Sequence, residues 1–238
     1  SRGLGDVYKR QARALITAGI TPGAEGGRAD VDALTRAMRE RGVRQDGQLT
    51  GLVWGREGER DEVRVTTALH VAQEGEAVAL AKAAAADRGR ALSPAALAAA
   101  VERSGLDFGD DHGKAQHAAM LRLGTGGAVG VAVGVAGAGK TALLRPLVDA
   151  WKAQGDHVVG VAIAWRQAEP LKEAGVGDVA ALTGFLHGVR AGRLSIGPRT
   201  VVVVDELGQV GARQMLELLR LRAEHGLSLI HISEPTRR

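Results

Sequence analysis

From about residue 106 onward, short continuous apolar runs alternate with segments whose apolar positions recur every three or four residues. The runs over 129–134, 157–164 and 200–205 read as strands buried on both faces, the pattern of a parallel sheet. Helical periodicity predicts helices over 113–123, 139–153, 167–174, 180–190 and 211–224. Strand and helix in alternation predict an α/β fold with a parallel sheet.

The first part of the chain reads differently. Residues 12–28 carry Thr21-Pro22-Gly23 and Gly26-Gly27 and few apolar positions, so mostly loop is expected. Asp30 is placed to cap a helix reaching Arg41, with Val31, Leu34, Ala37 and Met38 on one face. Residues 49–54 and 62–67 read as two short strands joined by a polar stretch, hence a hairpin. An Ala-rich helix is expected over 68–87. Ser93-Pro94 then supplies an N-cap with proline at the first helical position, and Gly105 stops that helix after Ser104. The expected organisation is a small, mostly helical region with a short hairpin over 12–105, followed by an incomplete α/β domain over 106–226.

Composition narrows the class. Apolar residues at 45% and charged residues at 24% exclude wholesale disorder. No apolar run reaches the ~18 residues of a spanning helix, and there is no secretory start, so a cytoplasmic protein is expected. The absence of cysteine excludes disulfides and thiolate metal sites. Aromatics at 3% leave Ala, Val and Leu to build the core.

The two ends are inversely complementary when reverse-translated. Gln11 as CAG answers Leu227 as CTG, Arg10 as AGA answers Ser228 as TCT, and the pairing continues unbroken to Ser1 and Arg237. The implied DNA resembles a transposase-type sequencing adaptor. The expectation is that residues 1–11 and 227–238 are translated adaptor flanking natural sequence at 12–226. These tails hold five basic and two acidic residues, a net of +3 of the total +4. The basic balance is therefore no argument for nucleic-acid binding.

The chemistry is concentrated in two motifs. Gly134-Val135-Ala136-Gly137-Ala138-Gly139-Lys140-Thr141 is a complete G-x-x-x-x-G-K-T between an apolar strand and a helix. Its glycines let backbone N–H groups curl around a phosphate, and the helix start adds its positive dipole end. Lys140 is expected to reach the β- and γ-phosphates, and Thr141 to hold Mg²⁺. The second motif, Val201-Val202-Val203-Val204-Asp205-Glu206, is a buried strand that delivers two carboxylates. Asp205 is expected in the Mg²⁺ shell, and Glu206 as general base on the attacking water. Adjacent Asp and Glu favour a hydrolysing ATPase over a small-molecule kinase. His70, His112, His117, His157, His187 and His225 show no metal-ligand spacing and read as surface or loop residues. Ser93, Ser104 and Ser195 lack a triad context.

The runs GVAGAGKTALLRPLVDAWKAQG, AWRQAEPLKEAG and VVVVDELGQVGARQMLELLRL resemble the first RecA-like motor domain of superfamily 1 DNA helicases. The likeness is strongest to conjugative relaxase–helicases and covers about half of the chain, with RVTTALHVAQE extending it upstream. The resemblance implies an ATP- and Mg²⁺-dependent motor acting on single-stranded DNA, with conjugation-machinery proteins as partners. It implies that Gln116 recognises adenine, that Trp165, Arg166 and Gln167 contact DNA, and that Gln209 senses the γ-phosphate. Thr183 stands where relatives have Thr-x-His, but Gly184 and Phe185 follow it here. The family's Gly-Asp-x-x-Gln turn and second motor domain would lie beyond Gly226, and its nuclease half upstream. The 238 residues alone are thus expected to bind Mg-nucleotide without useful hydrolysis or unwinding. A repair-type superfamily 1 helicase, a non-helicase P-loop ATPase, and an interaction module centred on 12–105 are the alternatives.

Overall fold

The computed structural model describes residues 38–57, 62–134 and 139–233. The loop expected over 12–28 and the tail 1–11 lie outside these residues. Of the helix expected up to Arg41, only 38–41 are described, and they are helical. The chain divides into two compact units, 1–73 and 74–238.

In the first unit, β1 (Val43–Gln45) and β2 (Gln48–Thr50) form an antiparallel hairpin. Asp46 and Gly47 turn it with φ of 52° and 80°, the doubly left-handed turn that Asp-Gly favours. A second antiparallel hairpin pairs β3 (Leu52–Glu57) with β4 (Glu62–Thr67), in register from Leu52↔Thr67 to Glu57↔Glu62. The single strand expected over 49–54 is therefore two strands separated by Gly51. Thr67 starts α1 (Ala68–Ala86) by accepting from His70 N–H at 3.0 Å, which is why the helix begins directly after the strand.

The second unit carries a five-stranded parallel sheet ordered β5-β9-β8-β6-β7. Its strands are β5 (Val129–Val133), β6 (His157–Ala162), β7 (Asp178–Ala181), β8 (Thr200–Asp205) and β9 (Ser228–Ser233). The helices are α2 (Pro94–Ser104), α3 (Asp111–Thr125), α4 (Lys140–Ala153), α5 (Glu169–Glu173), α6 (Leu182–Arg190) and α7 (Ala212–His225). The parallel α/β class read from the sequence is the observed one. Strand β7 is a departure: its short Asp-Val-Ala-Ala sequence sits within and just before the helix expected over 180–190, and that helix starts only at Leu182.

Each face of the sheet has its own core. Val158, Val201, Val203, Ile230 and Ile232 face Leu143, Leu144, Leu147 and Trp151 of α4. Val159, Val161, Val202, Val204 and Leu229 face Phe185 and Leu186 of α6 and Leu218 and Leu219 of α7. Alternate valines of β8 thus serve opposite faces, as a doubly covered parallel strand requires. Leu92, Leu97 and Ala100 join the first of these cores. Helix α2 thus packs on the sheet's helical layer, within the unit 74–238. Ser93 caps α2 by accepting from Ala96 N–H at 3.1 Å, and Gly105 ends it at φ 66°, as its sequence predicts.

Residues 228–233, part of the tail that the sequence reading excludes from the fold, form β9, an interior strand of the sheet. All six residues of β9 are buried, between β5 and β8. Leu229, Ile230 and Ile232 suit that slot, being apolar and partly β-branched. His231 does not: it is 2% exposed, and neither ring nitrogen has a hydrogen-bond partner. Burial pushes its pKa down to about 4.

Candidate nucleotide-binding site

The P-loop leaves the C-terminal end of β5, and Asp205 stands at the C-terminal end of β8, one strand away across β9. A crevice at the carboxyl ends of parallel strands is where open α/β sheets bind ligands. Gly134 N–H donates to Ser233 O at 3.0 Å, which ties the start of the loop to β9. Val135, Ala136, Gly137 and Ala138 lie outside the described residues, and of Lys140 only the backbone is described. Gly139 caps α4 at φ 68° without a side-chain bond, so Lys140 opens a 14-residue helix. The first N–H groups of α4 thus start at the loop's last glycine, the arrangement that attracts phosphate.

Thr141, Asp205 and Glu206 line one cleft of about 190 Å³, walled by Leu144, Pro170, Leu171 and Ile232. The structure therefore brings together three of the residues assigned to metal and catalysis from the sequence. One hydroxyl and a carboxylate are the hard oxygen donors that Mg²⁺ takes when phosphate and water fill its other positions. Among the described residues no three His, Asp or Glu gather into a metal cage.

Glu206 adopts φ 57°. A non-glycine residue there is strained by ~1–2 kcal/mol and persists only where its surroundings over-determine it. Its N–H donates to Asp205 Oδ1 at 3.0 Å, and Gln209 N–H donates to Glu206 O at 2.9 Å. The strain turns the chain sharply off the end of β8 and leaves both acids in the cleft. Nothing in the amino-acid pattern signals it.

Gln116, half-buried on α3, reaches the loop. Its Nε2 lies 2.5 Å from where a Cβ on Gly139 would stand and 3.1 Å from His112 Nε2. Trp165, Arg166 and Gln167 form a 3₁₀ turn, Trp165–Ala168, after β6. Trp165 is 52% exposed, with Lys172 Nζ 5.1 Å from its ring centroid. A larger hollow of about 310 Å³ runs beside the edge strand β7, between Trp165, Lys172, Asp178 and Phe185. It contains none of the P-loop residues, so size is a poor guide to the chemistry here. Thr183 is exposed on α6, and Phe185 is buried in the second core, which gives the ALTGFL segment a packing role. His157 pairs with Asp178 at 2.7 Å.

Residues 112–236, just over half of the chain, match the AAA domain family. The chain belongs to the AAA domain family. It is also 33% identical over 148 residues to a conjugal transfer protein TraA of Rhizobium radiobacter, covering 62% of this chain and 13% of that protein. A probable conjugal transfer protein TraA of Sinorhizobium fredii (strain NBRC 101917 / NGR234) is 35% identical over 108 residues, 45% of this chain and 10% of that one. The TraA of Agrobacterium fabrum (strain C58 / ATCC 33970) is 32% identical over 146 residues, or 61% and 13%. The chain thus spans at most 13% of the length of these curated relatives. No helix among the described residues is long and apolar enough to cross a membrane.

Proposed function

We propose that this AAA domain is the nucleotide-binding unit of an ATP-driven motor on single-stranded DNA, of the kind that serves conjugal transfer. The observation that carries the reading is the convergence of Thr141, Asp205 and Glu206 on one cleft beside the start of α4. The backbone of 134–139 and Lys140 would hold the phosphates, Thr141 and Asp205 the Mg²⁺, and Gln116 the adenine. A Mg²⁺ held there would supply charge neutralisation to the phosphates. Glu206 would take a proton from the attacking water.

The likeness to TraA proteins supports the DNA substrate and the conjugation-machinery partners. Trp165 offers an exposed ring for stacking a base, and Arg166 a charge for a phosphate, both tolerant of sequence. The described residues hold one parallel sheet, whereas in a two-domain motor the second unit would lend arginines to the transferring phosphate, a contribution worth ~10³–10⁵ in rate. Binding without useful turnover is therefore expected of the chain by itself.

The experiment is a pair of measurements on the purified chain. Fluorescence anisotropy with an oligothymidylate should report binding that weakens steeply with salt, and steady-state phosphate release should stay near background with or without that DNA. Robust DNA-stimulated hydrolysis by the 238 residues would overturn the binding-only reading. Salt-independent or absent DNA binding would overturn the motor reading.

A further inference from the structure

Two side chains bridge the turn after β6 and the turn after β8. Gln167 Nε2 donates to Gln209 Oε1 at 3.3 Å. The other end of the same amide, Gln167 Oε1, accepts from Ala164 N–H at 3.1 Å. One side chain therefore closes its own turn and reaches the neighbouring one. Because β6 and β8 are paired in parallel, with Val161 opposite Val204, both turns lie at the same end of the sheet. Gln209 in turn holds Glu206, by its N–H to Glu206 O at 2.9 Å.

We propose that Gln167 and Gln209 are positioning residues that couple a polynucleotide bound at Trp165 and Arg166 to Mg-nucleotide bound at Thr141, Asp205 and Glu206. The inference rests on the two-site reading above. Gln167 follows Trp165 and Arg166 within a single four-residue turn, so a ligand that shifts this turn shifts the bridge. At the other end, Glu206 at φ 57° sits in a sparsely populated region, and a small displacement of Gln209 alters how readily it is kept there. Coupling of this kind requires that the second turn exchange this strained arrangement for a relaxed one when the bridge moves. A single net hydrogen bond corresponds to ~2- to 10-fold in an equilibrium constant, so coupling of about 3- to 10-fold is expected.

The test measures the dissociation constant of a non-hydrolysable Mg-ATP analogue on the full 238-residue chain, with and without saturating oligothymidylate. The reverse titration must give the same ratio, since coupling free energy is reciprocal. The expected ratio is ~3- to 10-fold in the native chain and near one in Gln209→Met, which keeps the length and removes both polar atoms. Gln209→Glu retains an acceptor for Gln167 Nε2 and keeps a ratio above one, even where its charge shifts each affinity alone. Gln167→Glu combined with Gln209→Glu sets two acceptors face to face and brings the ratio back to one. A merely structural role would not restore coupling in the Gln209→Glu chain and abolish it in the double variant. A ratio of one in the native chain, or an unchanged ratio in Gln209→Met and in the double variant, overturns the coupling while both sites stand. Failure of the native chain to bind either ligand removes the two-site reading and the coupling with it.

Discussion

The side-chain amide of Gln116 lies over Gly139, so close that a methyl group on the glycine would stand 2.5 Å from Gln116 Nε2. Gly139 also holds φ 68°, where an alanine is strained by ~1–2 kcal/mol. Gly139→Ala is expected to displace Gln116 and distort the start of α4. Nucleotide affinity should fall by at least ~10-fold, or about 1.4 kcal/mol, measured by titration with a fluorescent ATP analogue. Gln116→Ala should leave phosphate binding in place and reduce the preference for adenine over guanine. An unchanged adenine preference would remove Gln116 from the base site.

The two acids at the end of β8 are expected to separate by role. Asp205→Asn should make nucleotide binding insensitive to Mg²⁺, because in the proposed site this carboxylate would supply the metal's charged protein oxygen. Glu206→Gln should keep Mg²⁺-dependent binding, because a base acts on water and not on the ground-state nucleotide. Titrations of each variant with and without Mg²⁺ check this, and identical behaviour would contradict the assignment.

How much of this was legible in the chain depends on the element. The P-loop and the Val-Val-Val-Val-Asp-Glu strand declare themselves, because phosphate binding and a doubly buried strand demand specific residues in order. Asp46-Gly47 is an equally clear turn signal, and it marks a first hairpin that the apolar pattern alone passes over. Strand β7 is only four residues long, with Ala180 and Ala181 equally suited to helix, so periodicity cannot separate it from α6. The strain at Glu206 and the bridge from Gln167 to Gln209 are properties of two turns brought together by strand pairing. No local pattern of residues encodes them.

His231 predicts an acid-sensitive fold. The unfolded chain binds a proton at the ordinary histidine value of 6.5, the folded one only near about 4. Within that window the unfolded state holds more protons, so stability is fully present above pH 6.5 and is lost as pH falls toward 4. The loss amounts to roughly 3 kcal/mol. His231→Val should flatten this profile and raise stability at pH 7.5 by ~1–3 kcal/mol, since two unpaired buried nitrogens disappear. Urea midpoints at pH 5 and 7.5 give the answer. A His231→Val chain no more stable than the native one, at either pH, would show that the ring is not buried unpaired.

The place of α2 in the second unit is equally testable. Leu97 is fully buried in the core that covers α4, so Leu97→Ala should cost ~2–5 kcal/mol. Ser93→Ala should cost ~1 kcal/mol through the lost cap. Removing residues 1–105 should expose that core and abolish cooperative unfolding. A stable, cooperative chain starting at residue 106 would contradict this and place the boundary at 105–106.

The central claim is that the cleft of Thr141, Asp205 and Glu206 beside the P-loop takes Mg-ATP. Isothermal titration of the native chain and of Lys140→Ala with ATP, in the presence and absence of Mg²⁺, addresses it most directly. One site per chain, Mg²⁺-dependent and weakened at least ~10-fold by Lys140→Ala, is the predicted result. Binding indifferent to both Mg²⁺ and Lys140, or no binding at millimolar ATP, would contradict the account.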